Sequence, residues 1–413
     1  VFGILLNKTR QTRRFSASVA AAAAALLAIL PISPASAQTL ASQGQTANQV
    51  AVGAGLDSIT VTATGDRRTM INAIRALPDV ASRANALGQV SQQAYTLLPR
   101  LAIQSMDANE TMLHNYIVDR RSVAADTPNT IPLSADHTVN MMLMGAVRQA
   151  KYDGARDRPK ANSDSRSLLF AIDFTPRPGL LLGVSLGVDG QDARLGANKP
   201  RITQFNSHIG PYASYTNGKF YVDASASYNL SDYKLRREVN FAGFIDRLTA
   251  TQLGDNWAAS GETGILLKSG KTRIQPFVGV HYRYADVAGF QEQGGTAALQ
   301  VAKYRTQSIR SSVGARISTT IEKGAWSIRP TASAEWRREL AKQPDSRIEA
   351  RLASADVAIW RLQPAGLNKN AANVSAGIAA TYNNRTTFRL GYIGEFGSDR
   401  RINGATVSVN HRF

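Results

Sequence analysis

The chain has 413 residues, 48 Lys and Arg against 30 Asp and Glu, a formal charge of +18 and no cysteine. Lack of cysteine excludes disulfide frameworks and thiolate metal or redox centres. The basic residues are scattered, with no stripe of charge and aromatics, so nucleic acid is not an expected partner.

The first 37 residues carry the pattern of a signal peptide. Lys8, Arg10, Arg13 and Arg14 make a basic start, an apolar run extends from Val19 to Ile32, and Ala35-Ser36-Ala37 offers a small-x-small cleavage site. Cleavage after Ala37 makes Gln38 the first mature residue. No later run of about 18 apolar residues occurs, so no transmembrane helix is expected.

Residues 38–58 are rich in Gln, Ala and Gly and predict a poorly ordered lead. DSITVTATGDRR (57–68) resembles the TonB box of TonB-dependent transporters. Such transporters need a plug and a barrel of about 22 strands, too much for this length, so the segment is expected to be a β-prone stub. From about residue 69 the apolar period is helical: Met70, Ile71, Ile74 and Leu77 share a face before Pro78. A second helix is predicted over 79–92. A third is predicted over 99–121, with Pro99 suited to its first turn. Ile103, Met106, Leu113 and Ile117 lie on one face of it. Glu110 sits in that face, and Gln104, Asn109, His114, Asp119, Arg120 and Arg121 surround it. A helix this mixed is expected to be enclosed by mixed surface on all sides. Residues 122–137, with Pro128 and Pro132, predict a linker.

After that the period is two. FYVDASASYNL (220–230) sets Phe220, Val222, Ala224, Ala226, Tyr228 and Leu230 against Tyr221, Asp223, Ser225, Ser227 and Asn229. TRIQPFVGVHYRY (272–284) and AWSIRPTASAEW (325–336) alternate likewise, with Phe277 the one apolar residue on a charged face. One face is apolar with aromatics at its ends, and the other is polar. Strands of about ten residues or more, apolar on one side, suit a tilted bilayer crossing. In lipid every backbone polar group must be paired, which leaves a closed barrel. Tight turns are predicted at Thr175–Gly179, Asn217-Gly218, Ser269-Gly270, Lys323-Gly324 and Asn383-Asn384, where Gly and Asn accept positive φ. Longer polar loops are expected near 151–163, 190–200, 233–249, 288–296, 341–370 and 397–401. These connections make about twelve antiparallel strands, with short turns in the periplasm, long loops outside, and both barrel ends on the periplasmic side.

Several stretches resemble the C-terminal translocator barrel of the autotransporter (type V secretion) family. They are HIGPYASYTNGKFYVDASASYNLSDYKLRR (208–237), DRLTATQLGDNWAASGETG (246–264), IQPFVGVHYRYADVAGFQEQGGTAALQV (274–301) and IRPTASAEWRRELA (328–341). Upstream, NQVAVGAGLD (48–57) and LGQVSQQAYTLLPRLAIQSMDANETMLHNYIVDR (87–120) resemble the helical segment before such barrels. The resemblance implies an all-β transmembrane barrel with an N-terminal helix threading its lumen. It implies delivery or display of an N-terminal passenger at the surface of a Gram-negative cell. The expected partners are outer-membrane lipid, the barrel-assembly machinery, periplasmic chaperones and the Sec translocon, with the barrel a monomer. The expected division is signal peptide 1–37, vestigial passenger or disordered lead 38–68, helical linker and pore helix 69–122, linker 123–137, and barrel 138–413. The pore-helix residues are Gln104, Asn109, Glu110, His114, Asp119 and Arg120. No Asn-Asn pair, the cleavage site of some members, occurs in 99–121. The final strand GATVSVNHRF resembles the family's assembly signal, with Val407, Val409, His411 and Phe413 as its residues; His411 stands where a larger apolar group is usual.

No catalytic constellation is found. There is no H-E-x-x-H, and Gly55-Leu56-Asp57-Ser58 has the wrong order for an esterase nucleophile block. The five histidines are dispersed. No cofactor or metal is expected, and no enzyme activity. Asp173, Asp223, Glu262, Arg329, Glu335, Arg337, Arg389 and Glu395 are expected to face the lumen, since charge on the lipid face costs about 2–4 kcal/mol at the midplane. Alternatives are a stand-alone porin-like or structural barrel, and an adhesin acting through its long loops.

Overall fold

The computed structural model describes residues 38–91, 93–124, 139–155, 160–196, 200–341, 347–354, 359–362 and 367–412. The signal-peptide pattern, the linker from residue 125 and Phe413 lie outside them.

Twelve long strands form the wall: β1 (Val139–Tyr152), β2 (Ala161–Arg177), β3 (Leu180–Leu195), β4 (Arg201–Thr216), β5 (Phe220–Phe241) and β6 (Phe244–Ile265). They continue with β7 (Thr272–Val287), β8 (Tyr304–Thr319), β9 (Trp326–Glu339), β10 (Asn370–Tyr382), β11 (Thr386–Gly397) and β12 (Arg400–Arg412). Each pairs antiparallel with the next, and β12 returns to β1 from Asn140↔Arg412 to Tyr152↔Arg400. The sheet is a closed barrel without a free edge. Two short segments, Leu267–Ser269 and Ile321–Lys323, lengthen hairpins at one end.

Alternation sets the two faces. Val222, Leu230, Val278, Val280, Val407 and Val409 are exposed on the outer face. Asp223, Asn229, Glu262, Arg283 and Arg389 are buried inside. Where strands approach closely, the inner face needs glycine. A Cβ on Gly183 would stand 2.3 Å from the Tyr212 ring and 2.7 Å from the Ile172 carbonyl oxygen. Gly183→Val is therefore expected to destabilise the barrel by about 1–3 kcal/mol through overpacking. Lower resistance of the folded, heat-modifiable form to urea would register it, and unchanged resistance would show that the wall relaxes.

At one end the hairpins are tight. Positive φ falls at Gly179 (80°), Gly218 (88°), Gly270 (59°), Gly324 (59°), Asn383 (48°) and Asn384 (56°). At the other end the expected loops prove partly ordered. The 190–200 and 233–249 loops are largely strand: β3 runs to Leu195, and β5 and β6 run on to a tight turn at Gly243. Tyr233, Leu235, Arg237 and Val239 alternate inward there, which the charges of Lys234, Arg236 and Glu238 disguise. The 288–303 and 341–370 connections contribute four short strands, Phe290–Gln291, Leu299–Val301, Ile348–Leu352 and Trp360–Leu362, joined in a separate sheet.

The N-terminal residues correct the expectation of a disordered lead with a β-prone stub. α1 (Ala47–Ile59), α2 (Gly65–Ala76) and α3 (Val80–Val90) form a helical cap over the long-loop end. Thr46 and Gln49 make a reciprocal capping box at the start of α1. Asp57 accepts from the Leu40 and Ala41 amides at 2.9 and 3.0 Å. A Cβ on Gly53 would lie 2.5 Å from the Leu40 backbone, so glycine lets that chain lie against α1. Asp79 caps α3, and the Ser82 amide and hydroxyl hold its carboxyl below the usual range. Buried Val52, Leu56, Met70 and Ile74 share one core with Leu299, Ile348, Trp360 and Leu362 of the small sheet.

Candidate functional site

A short 3-10 turn, Gln93–Leu97, leads from the cap into α4 (Leu98–Ala124). The polar pattern of α4 is matched by the inner wall, and ion pairs follow it from end to end. At the long-loop end Arg100 donates to Asp399 at 2.7 Å. Lower down, Gln104 accepts from the Tyr152 hydroxyl. The Ser105 hydroxyl donates to Asp189 at 2.9 Å. Asp107 is held by Arg283 at 3.1 Å and Arg310 at 2.7 Å. Glu110 pairs with His281 at 2.6 Å and with Arg283. His114 stands 3.3 Å from Glu262. Towards the tight-turn end Asp119 pairs with Arg389 at 2.7 Å and Arg329 at 3.5 Å. Arg120 pairs with Asp173 at 3.2 Å, and Arg121 pairs with Asp223. Asp107, Glu110 and Asp119 on the helix thus meet basic groups on the wall, while Arg100 near its start and Arg120 and Arg121 near its end meet wall carboxylates.

All eight charges expected in the lumen stand on the inner face. Asp173, Asp223, Glu262, Arg329 and Arg389 touch α4 as above. Glu335 bridges Arg337 (3.1 Å) and His281 (3.5 Å), and Glu395 pairs with Arg400. These last groups brace the wall and do not grip the helix directly. The Asn109 amide meets no hydrogen-bond partner among the described residues. The helix runs close to β2–β5 and β7. A cavity with about 1070 Å³ of empty space, open solvent included, lies beside it and reaches Glu335, Arg337 and Glu395. Val407 and Val409 are exposed on β12, and the Thr386 hydroxyl meets His411 at 2.9 Å.

Sequence reasoning missed Asp107, Arg310, Asp189 and the Arg100–Asp399 pair. Asp107 precedes Glu110 by one helical turn, so its shared face was a usable signal. No local signal announces Arg310 as its partner. Phe277, the apolar exception, packs under the Arg316 guanidinium at 3.8 Å. His114, Asp223 and Glu262 bring donor atoms within 4.8 Å of one another. Arg121 and Arg316 already neutralise those carboxylates, and Arg316 meets both Glu262 oxygens at 2.6 and 2.7 Å. The three groups therefore work as an ion-pair cluster tying helix to wall.

This arrangement encloses a helix within the barrel. Residues 142–393 match the family model described as the autotransporter beta-domain. The chain belongs to the autotransporter family. The translocator domain of the autotransporter NalP from Neisseria meningitidis has a similar structure, with a TM-score of 0.57 and 11% identity, over 77% of this chain and 99% of that one. The beta domain of the Bordetella autotransporter BrkA is matched over 67% of this chain and 100% of its own, at 16% identity and a TM-score of 0.48. An extracellular serine protease of Serratia marcescens is 23% identical over 246 residues, which are 56% of this chain and 23% of that protein. The chain thus spans about a quarter of the length of the curated relatives it matches. This autotransporter barrel is an outer-membrane protein of a Gram-negative bacterium.

Proposed function

We propose that the barrel carries its own N-terminal segment, residues 39–97, to the cell surface and retains it there, with α4 left in the pore. One observation carries this reading: the direction of α4. Its first residues meet Asp399 beside the long loops, and its last meet Asp173 and Asp223 near the tight turns. Outer-membrane barrels keep short turns in the periplasm and long loops outside. The chain preceding α4 therefore stands at the outer end, where a delivered segment belongs. The process needs insertion and folding and no reacting group, so we assign no enzyme activity to these residues.

The same reading assigns the supporting partners. The signal-like residues up to Ala35 and Ala37 engage the Sec translocon, with Gln38 left as the new N-terminus. Periplasmic chaperones hold the chain, and the barrel-assembly machinery recognises the last strand through Val407, Val409, His411 and Phe413. The exposed apolar band then meets lipid, and the barrel acts as a monomer. Deleting Phe413 is expected to lower the heat-modifiable form severalfold in outer-membrane fractions. Equal amounts with and without it would remove the last strand from the assembly role.

An epitope inserted between Val61 and Thr62 tests display. Val61 is 88% exposed in the turn between α1 and α2. Antibody should stain intact cells. Staining only after the outer membrane is opened would end the proposal.

A further inference from the structure

We infer that Phe290, Glu292 and Arg237 form a receptor at the long-loop end for the phenol ring of Tyr95, which captures the N-terminal segment. For its direction this rests on the display reading; the docking itself does not. Tyr95 is the residue at which the cap passes into the pore helix, within the Gln93–Leu97 turn. It is 2% exposed, and Glu292 is likewise 2% exposed. The Tyr95 hydroxyl donates to Glu292, and its ring stands edge-on to Phe290 with centroids 5.0 Å apart. The Tyr304 hydroxyl donates to the Tyr95 carbonyl oxygen at 2.9 Å.

The receptor side is rigidly made. Arg237 donates to both Glu292 oxygens at 2.5 and 2.6 Å, and the Leu299 amide adds a third bond at 2.8 Å. Arg237 also reaches the Gln89 carbonyl oxygen of α3 at 2.8 Å, so one guanidinium spans receptor and cap. A buried carboxylate with this many donors is fixed before any ligand arrives. The surrounding glycines explain the Gly289-Phe290-x-Glu292-x-Gly294-Gly295 stretch. Gly294 has φ +111°, and a Cβ there would lie 2.2 Å from the Arg247 carbonyl oxygen. A Cβ on Gly295 would meet the Asp246 carboxylate at 2.3 Å. Gln293 and Thr249 exchange backbone bonds at 2.9 and 3.0 Å. The segment is thereby pressed onto β6, and Phe290 and Glu292 remain turned towards Tyr95.

What the receptor takes is an aromatic ring bearing a hydroxyl donor, presented by the 3-10 turn that leads into α4. Phe290 supplies a ring edge contact and Glu292 an anionic acceptor. Phenylalanine at 95 keeps the first and loses the second. Alanine loses both.

The test uses the full chain, purified and folded in detergent, where both ends of the barrel are open to protease. Wild type should keep residues 39–97 intact under limited proteolysis. Tyr95→Phe should be cut in the cap several times faster, and Tyr95→Ala on the order of a hundredfold faster, as the open population rises. Both variants should keep the heat-modifiable barrel, since Tyr95 is not part of the wall. Glu292→Gln should behave as Tyr95→Phe does; if it does not assemble, the Tyr95 pair decides alone. Wild-type protection in Tyr95→Ala with an intact barrel would overturn the inference. Loss of protection in detergent combined with an unstained epitope on cells would support the receptor and refute display.

Discussion

Joining the export signal directly to residue 122, so that cap and pore helix are both absent, is expected to turn a closed barrel into an open pore. In planar bilayers the shortened chain should give long-lived current steps that the full chain lacks. α4 runs through the lumen from Arg100 beside Asp399 to Arg121 beside Asp223. With it gone, the inner wall keeps Arg283, Arg310, Arg389, Asp173 and Asp223 without their helix partners, and water and ions replace them. The barrel itself should persist, because closure depends on β1 and β12 and not on the helix. Equal conductance in both chains would mean that the cavity beside α4 already conducts.

Removing one charge from the helix should have the next largest effect. Asp107 lies between Arg283 and Arg310, all three buried. Breaking a buried pair by deleting one partner costs about 3–5 kcal/mol, because the remaining charge is left without compensation. Arg283 retains Glu110, and Arg310 retains Glu339 at 3.2 Å, so Asp107→Ala should fall near the lower limit. At about 1.4 kcal/mol per factor of ten, roughly a hundredfold rise in the unplugged population is expected. Brief openings in single-channel records would report it. A variant as silent as wild type would show that apolar contacts of Ile103, Met106 and Leu113 hold the helix unaided.

Strand parity made the barrel legible. Residues such as Asp223 and Glu262 could be placed inside from alternation alone, because lipid tolerates no charge opposite Val222 or Thr263. The partners of these charges were not legible. Asp107 and Arg310 are 203 positions apart, and nothing local to either selects the other. The extended β5–β6 hairpin was hidden because Lys234, Arg236 and Glu238 have the composition of a loop while Tyr233, Leu235 and Val239 keep the alternation of a strand. The first helix of the cap, α1, failed to register for a related reason, whereas α2 and α3 follow the apolar period read from about residue 69 and over 79–92. Gly53 and Gly55 argue against a helix by propensity. Packing against Leu40 and the Thr46–Gln49 box outweighs them, and only the box can be seen in the sequence.

Because the chain lacks cysteine, sidedness can be read with single introduced thiols. Val50, 41% exposed on α1, and Lys219, exposed in the β4–β5 turn, mark the two ends of the barrel. Intact cells carrying Val50→Cys or Lys219→Cys would be treated with a membrane-impermeant maleimide, and the barrel then isolated. Labelling of Val50→Cys, with Lys219→Cys labelled only after the outer membrane is opened, is the predicted result. Labelling of Lys219→Cys on intact cells, with Val50→Cys protected, would contradict a delivered N-terminal segment.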